Sequence, residues 1–241
     1  MPICSTCGRR YNDAFQRCSE DGSGLAPDTT PLTLAPGTTL TIGVTIRHFV
    51  GAGPTGEVYA AERQGHIVAV KLLSREITSD PVAHDRLTLL QTHIHKVHHP
   101  GVARALALGD HEGYRVLARE LVPGRSASDL VLHTGPLQPI RAIGLALRAA
   151  EALTEAHRNG ALHLNLRPSN LFVLDGDLVK LVDFGVAQRL SLERGTVHGD
   201  PHYLAPEQYE GKLVSFRSDI FGLGCLLYYL QIGRASCRER V

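Results

Sequence analysis

Residues 45–73, TIRHFVGAGPTGEVYAAERQGHIVAVKLL, constrain the fold of this chain more than any other stretch. They read as a strand, a tight glycine turn, a second strand, and then the strongly apolar, β-branched strand GHIVAVKLL. Gly51, Gly53 and Gly56 carry no Cβ, so the backbone there can approach a ligand closely. A glycine loop of this kind is a weak signal alone, and the residues C-terminal to it decide its meaning.

Residues 81–97 place Leu87, Leu90, Ile94 and Val97 at helical spacing. Short strand candidates lie at 105–108 and 114–121. Residues 138–159 predict the best helix, with Ile140, Ile143, Leu147, Ala150 and Leu153 marking one face and Asn159-Gly160 stopping it. LFVL and LVKLVDF flank Asp175-Gly176-Asp177, a hairpin signal. Residues 219–230 form an apolar helix, after a loop-rich stretch from 183 to 210. Mostly strands and then mostly helices predict an α+β fold of two lobes.

The 25 Lys and Arg nearly balance the 24 Asp and Glu, a net charge of +1. That balance gives no electrostatic case for nucleic acid as a partner. No run of 18 apolar residues suggests a membrane segment, and MPICSTCGRR lacks the apolar stretch of a signal peptide. The expected location is cytoplasmic, where disulfides are rare.

Several motifs stand in a fixed order: GAGPTGEV (51–58), VAVK (68–71), HLNLRPSN (163–170), DFG (183–185), APE (205–207) and SDIFGLG (218–224). At these spacings the chain resembles the protein kinase family over about residues 41–230, nearest the bacterial Ser/Thr kinases of eukaryotic type. The resemblance implies a strand-rich lobe with one helix, a mainly helical lobe, and ATP with Mg²⁺ as ligand. Gly51, Gly53, Gly56 and Lys71 would hold phosphates. Val58, Ala69 and Phe172 would sandwich the adenine, with Glu120 and Val122 in the hinge. Asn170 and Asp183 would each hold a Mg²⁺. For Val58, Ala69 and Phe172, plain core packing is the alternative, and both readings can hold together.

The departures fall on the proton chemistry. HLN replaces the family's His-Arg-Asp, so Asn165 stands at the general-base position, a role typically worth ~10²–10⁴ in rate. Arg167 stands where the family has Lys. The glutamate that pairs with the strand lysine maps to Leu90, with Gln91 and Asp85 as the nearest alternatives; without a carboxylate there, Lys71 would lack its usual ion pair unless Asp183 takes it over. Arg119 precedes hinge residue Glu120. It would fill ATP space, point at Asp183, or lie solvated on a shifted strand. Asp200 replaces a Thr, and a salt bridge to Arg167 is the expectation. His163, Ile94, Phe184 and Asp219 match positions that hold the architecture. Without the rest of the family's helical lobe, Glu207 is expected to lack its Arg partner.

Three of the five cysteines lie in the first 18 residues. Cys4-x2-Cys7 is a zinc-knuckle signal, and Cys18-x2-Asp21 places a carboxylate where a fourth thiol often stands. The segment resembles zinc ribbons ahead of some bacterial kinase domains. A Cys4, Cys7, Cys18, Asp21 site for Zn²⁺ is expected, with a redox pair or a non-binding relic as alternatives. The expected organisation is a zinc-ribbon-like knuckle at 1–24, a Pro/Thr-rich linker at 25–40 and a kinase-like domain at 41–231. The tail at 232–241 resembles an out-of-frame adapter translation, foreign to the natural protein, which would then continue beyond 231. The functional expectation is a pseudokinase that signals by binding protein partners, such as an active kinase or its substrate. An active Ser/Thr kinase with an atypical loop and a nucleotide-free scaffold recognising through the ribbon stand as alternatives.

Overall fold

The computed structural model describes residues 1–79, 81–185 and 202–234. Two compact units divide the chain: residues 1–84 with 104–121, and residues 85–103 with 122 onward.

The first unit is built on one nine-stranded sheet. Its strands are β1 (Pro2–Cys4), β2 (Arg10–Tyr11), β3 (Leu25–Pro27), β4 (Thr39–Leu40), β5 (Val44–Gly53), β6 (Gly56–Arg63), β7 (His66–Leu73), β8 (Ala105–His111) and β9 (Tyr114–Glu120). The order is β3-β1-β2-β5-β6-β7-β9-β8, with β4 also on β5. Two of the connections are two-residue turns with positive φ at both positions, Gln64-Gly65 and Glu112-Gly113, as the twist of a hairpin demands. Val44, Ile46, Phe49, Tyr59, Val68, Val70, Leu72, Val116 and Ala118 form the core on one face. A short helix, α1 (Arg75–Thr78), comes after β7.

Residues 25–40, expected to be a linker, are mostly exposed but form a strap anchored at two leucines. Leu34 and Leu40 are buried in the sheet core, and the Leu34 N–H donates to Tyr59 Oη at 3.1 Å. Single leucines among Pro and Thr have no period, so the sequence pattern does not reveal the packing. The Cys-bearing segment is likewise continuous with the large sheet, because β2 pairs with β5.

Helix α2 (Pro81–Ile94) runs from the first unit into the second. Leu87 and Ile94 are buried, as is Val97 beyond its end. The second unit then adds β10 (Arg125–Ser126), α3 (Ala127–Thr134), α4 (Pro139–Arg158), β11 (Leu171–Val173), β12 (Val179–Leu181), α5 (Pro206–Tyr209) and α6 (Phe216–Ile232). β10, β11 and β12 form a small antiparallel sheet, turned at Gly176 with φ 71°. Pro139 starts α4 at a position that needs no N–H donor. Ser215 caps α6, its side chain accepting from the Arg217 N–H, and Gly233 ends it in the left-handed conformation.

The buried face of α4 is not the predicted one. Ile140, Ile143 and Leu147 are 86%, 54% and 60% exposed. The face turned inward carries Ala142, Leu145, Ala146, Ala149, Ala152, Leu153 and Ala156. Small alanines admit close helix packing, and their weak hydrophobicity is outvoted when a face is chosen by its large residues.

Candidate functional site

In the first unit, register decides which side chains share a face. Val58 on β6 lies opposite Lys71 on β7, which lies opposite Leu117 on β9. One pair along, Ala60, Ala69 and Arg119 line up in the same way. Directly opposed residues point to the same side of a sheet, so Val58, Lys71, Ala69 and Arg119 share one face. Lys71 is 6% exposed.

Gly56 has φ +128°, and a Cβ there would fall 2.0 Å from the Leu72 carbonyl oxygen. Only glycine permits this closeness of the loop to β7. The register also breaks between Phe49 and Gly51, a bulge at the entry to the loop.

The alternative of a shifted strand with Arg119 in solvent does not hold. Arg119 is half-buried, opposite Ala69 on one side and Ala105 on the other. Its Nη1 donates to the Glu120 carbonyl oxygen at 3.2 Å. Glu120 is fixed by its N–H to the Arg104 carbonyl at 2.8 Å and by its carboxylate, which accepts from the Arg104 N–H at 3.1 Å.

In the second unit, α6 builds the catalytic-type loop. Asp219, 1% exposed, accepts from the backbone N–H groups of His163 at 2.8 Å and Leu164 at 2.6 Å. His157 Nε2 on α4 meets the same carboxylate at 2.7 Å. A Cβ on Gly222 would sit 3.2 Å from Leu166 Cβ, so α6 approaches the loop closely. Gln208, on α5, donates to the Leu164 carbonyl at 3.0 Å. Leu164 is held at φ 55° and Asp183 at φ 60°, conformations that side-chain-bearing residues rarely adopt outside constrained sites.

The loop's chemical positions are all placed. Asn165 donates its N–H to His163 Nδ1 at 3.3 Å and accepts, at its carbonyl, from Asn170 Nδ2 at 2.8 Å. Arg167 is buried, with its Nε on Ser169 Oγ at 2.7 Å. The segment around Asp183 is tied on both sides: the Val182 N–H to the Asn170 carbonyl, 3.0 Å, and the Gly185 N–H to the His163 carbonyl, 2.7 Å. Asn170 and Asp183 offer oxygen donors suited to Mg²⁺. His163 is fully buried, its ring 4.3 Å from that of Phe184. Burial holds its pKa below the usual value, against the opposing pull of Asp219 and Asp183. Val122 and Phe172 join one apolar cluster with Ala103, Val182 and Leu174.

Leu90 lies at the Asp183-Phe184-Gly185 segment: a Cβ on Gly185 would fall 2.5 Å from Leu90 Cδ2. An apolar side chain thus packs where the family pattern has a carboxylate. Asp200 and its expected bridge to Arg167 lie outside the described residues. Glu207 does not lack a partner, since its carboxylate accepts from Ser218 Oγ at 2.5 Å. A serine in the first turn of the neighbouring helix thus supplies a donor where the family pattern has an Arg. Sequence reasoning also missed His157 and Gln208. A histidine next to the buried Ala156 on α4, and a glutamine directly after the APE motif, are the signals that could have found them.

Cys4, Cys7, Cys18 and Asp21 come together with ligand atoms all within 4.8 Å of one another. Cys7 Sγ and Cys18 Sγ are 3.5 Å apart, and Cys4 Sγ and Asp21 Oδ2 are 3.4 Å apart. Tetrahedral zinc, with bonds of about 2.3 Å to sulfur and 2.0–2.2 Å to oxygen, needs ligand separations of about 3.5–3.8 Å. These two pairs match that spacing, and the set as a whole, within 4.8 Å, would close slightly on such an ion. Two matching turns present them: CSTCG closes with the Gly8 N–H on the Cys4 carbonyl, and CSEDG with the Gly22 N–H on the Cys18 carbonyl, both at 2.9 Å. Gly8 and Gly22 have φ of 69° and 73°. Burial and the neighbouring Cys18 and Cys4 thiols raise the Cys7 pKa far above its usual value, a crowding that a bound cation would relieve.

Residues 44–240 match the protein kinase domain family. Serine/threonine-protein kinase PknH of Mycobacterium bovis is 33% identical over 189 residues, covering 76% of this chain and 32% of the relative. Serine/threonine-protein kinase PknD of Mycobacterium tuberculosis is 34% identical over 184 residues, covering 74% and 28%. The chain therefore spans about a third or less of the length of these curated relatives. The crystal structure of the Mycobacterium tuberculosis PknI kinase domain superposes with a TM-score of 0.75 at 25% identity, covering 87% of this chain and 82% of that one. Among the described residues, no helix is long and apolar enough to cross a membrane. The chain belongs to the protein kinase family, among its bacterial members of eukaryotic type.

Proposed function

We propose that this domain is a pseudokinase: it binds Mg²⁺-ATP, transfers phosphate slowly or not at all, and signals by binding a protein partner. One observation carries the reading. The loop around position 165 is fully braced, by Asp219, Gln208 and Asn170, yet the side chain it presents is an amide. An amide orients a hydroxyl and cannot take its proton at neutral pH.

The phosphate-binding elements support nucleotide binding. Gly51, Gly53, Gly56 and Lys71 would hold the phosphates, and Asn170 and Asp183 the Mg²⁺, which neutralises phosphate charge. By resemblance to the family, Val58 and Ala69 in the first unit and Val122 and Phe172 in the second stand at base-binding positions. Arg119 bonds the Glu120 carbonyl, the kind of acceptor a purine amino group needs, so adenine would have to share or displace that contact. Affinity for ATP is therefore expected to be weaker than in kinases with an uncharged residue there. Cys4, Cys7, Cys18 and Asp21 would hold Zn²⁺, folding the N-terminal segment.

The test is Mg²⁺-ATP titration by calorimetry with Lys71→Met as control, alongside phosphotransfer by the wild type and Asn165→Asp. Heat of binding lost in Lys71→Met and a rate gain of ~10²–10⁴ in Asn165→Asp are expected. Equal rates in the two proteins would mean that another group serves as base and that the domain is an unconventional kinase. No binding in any variant would leave a scaffold.

A further inference from the structure

The thiol cluster and the glycine-rich loop are joined by strand β2, two residues long. Its backbone pairs with β5 inside the glycine motif, Arg10 opposite Ala52 and Tyr11 opposite Gly51. The Tyr11 side chain reaches in the other direction. Tyr11 Oη lies 3.2 Å from Cys18 Sγ and accepts from the Ser19 N–H at 3.2 Å. One residue therefore touches a candidate metal ligand with its phenol and the phosphate loop with its backbone.

The surrounding contacts tighten this link. Asn12 Nδ2 donates to the carbonyl of Val50, the residue at the β5 bulge, at 3.4 Å. Arg10 reaches Glu57, inside the glycine motif, at 3.1 Å and Asp28 at 2.6 Å. Its guanidinium also lies over the Phe49 ring of β5. Arg9 pairs with Glu20, between the Cys18 and Asp21 ligands, and lies where a Gly53 Cβ would meet it at 3.6 Å. A strand of two residues does not hold a position by its own pairing. Besides these side-chain contacts it leans on the small thiol core around Cys4, Cys18 and Tyr11, too few residues to fold without a staple.

We propose that the Cys4, Cys7, Cys18, Asp21 cluster is a regulatory metal site: a zinc-class cation bound there clamps β2 onto the glycine-rich strand, and its loss frees that strand and weakens nucleotide binding. The nucleotide half of this statement rests on the function proposed above. The strand half does not. Zinc occupancy thus acts on the loop that would cover phosphates through Tyr11 and Arg10, with no contact between metal and nucleotide.

The test is hydrogen exchange at amides 51–58 of the full chain, with zinc supplied and then chelated, in parallel with Mg²⁺-ATP titration. Strands β8 and β9 serve as the internal reference. Chelation is expected to lower protection at 51–53 by about tenfold, to leave β8 and β9 unchanged, and to weaken ATP binding. Unchanged protection at 51–58, or no uptake of zinc, overturns the proposal. Protection lost equally in β8 and β9 also overturns it, because the metal is then a staple for the whole unit. Local loss of protection without ATP binding in either state upholds the clamp and sinks the nucleotide reading instead. Tyr11→Phe keeps the ring and removes the hydroxyl beside Cys18. It is expected to bind zinc and to show reduced protection at 51–53; wild-type exchange in that variant overturns the Tyr11 route.

Discussion

Asp219→Ala is expected to cost the second unit about 3–5 kcal/mol, a figure set by the groups the carboxylate holds. Its two oxygens accept from two buried amides, His163 and Leu164, and from His157. Each buried N–H left without an acceptor costs ~1–3 kcal/mol. His157 is 18% exposed, so water can replace its lost partner and it adds little. Breaking a buried charged network from one side lies in the same range, roughly 3–5 kcal/mol. Leu164 at φ 55° then loses the contact that holds it in a left-handed conformation, and the loop is expected to relax. Against a total stability of ~5–15 kcal/mol for a typical domain, the change is large. Denaturant unfolding of wild type, Asp219→Ala and Asp219→Asn measures it, with exchange at amides 163–165 as the local readout. Asn keeps one acceptor oxygen and is expected to lose about half as much. A loss under about 1 kcal/mol in Asp219→Ala, with amides 163 and 164 still protected, would refute the reasoning.

Gly56→Ala places a Cβ 2.0 Å from the Leu72 carbonyl oxygen at φ +128° and is expected to destabilise the first unit by roughly 2–4 kcal/mol. Gly24→Ala, with nothing within 4 Å, is the matched control, and thermal unfolding of the pair decides. His163 is buried with a lowered pKa, so its native form resists the proton that the unfolded chain accepts below about 6.5. Its stability contribution is therefore complete above that pH and is lost as pH falls toward the native pKa, at up to ~1.4 kcal/mol per unit. Urea midpoints at pH 7.5 and 5.5 test this, and equal midpoints would contradict it. Adding Leu90→Glu to Asn165→Asp restores a carboxylate beside Gly185. The double variant is expected to transfer phosphate faster than Asn165→Asp alone in a Mg²⁺-ATP assay, and equal rates would contradict a role for a carboxylate at position 90.

The parts legible in the sequence are those fixed by short-range spacing. The glycine loop, the VAVK strand, HLNLRPSN and the two cysteine turns each lie within a few residues, and their local geometry follows from residue type. The strap at 25–40 was not legible because Leu34 and Leu40 are isolated apolar residues whose partners lie on β5, β6 and β7. The buried face of α4 is not legible in the sequence because Ile140, Ile143 and Leu147 outweigh Ala142, Ala146, Ala149 and Ala152 in any hydrophobic pattern. Nor could the docking of the cysteine segment be read. Arg10 and Ala52 are brought together by two residues of backbone pairing, which leaves no periodic trace.

The same geometry explains why an intact loop says little about activity. His163 packs on Phe184 inside the core, and Asp219 binds the loop's amides from within α6. These contacts stabilise the second unit whether or not any phosphate moves. Removing them would cost several kcal/mol of folding energy, so a domain that only binds a partner still needs them. The side chain at 165 is different. Its backbone carries the loop's hydrogen bonds, with the N–H on His163 and the carbonyl on Asn170, and among the described residues its amide group carries none of them. Folding therefore does not dictate whether position 165 bears a carboxylate or an amide; the need for a base does. Chemistry must be read from that functional group, and Asn165→Asp changes the chemistry while leaving the frame that holds it.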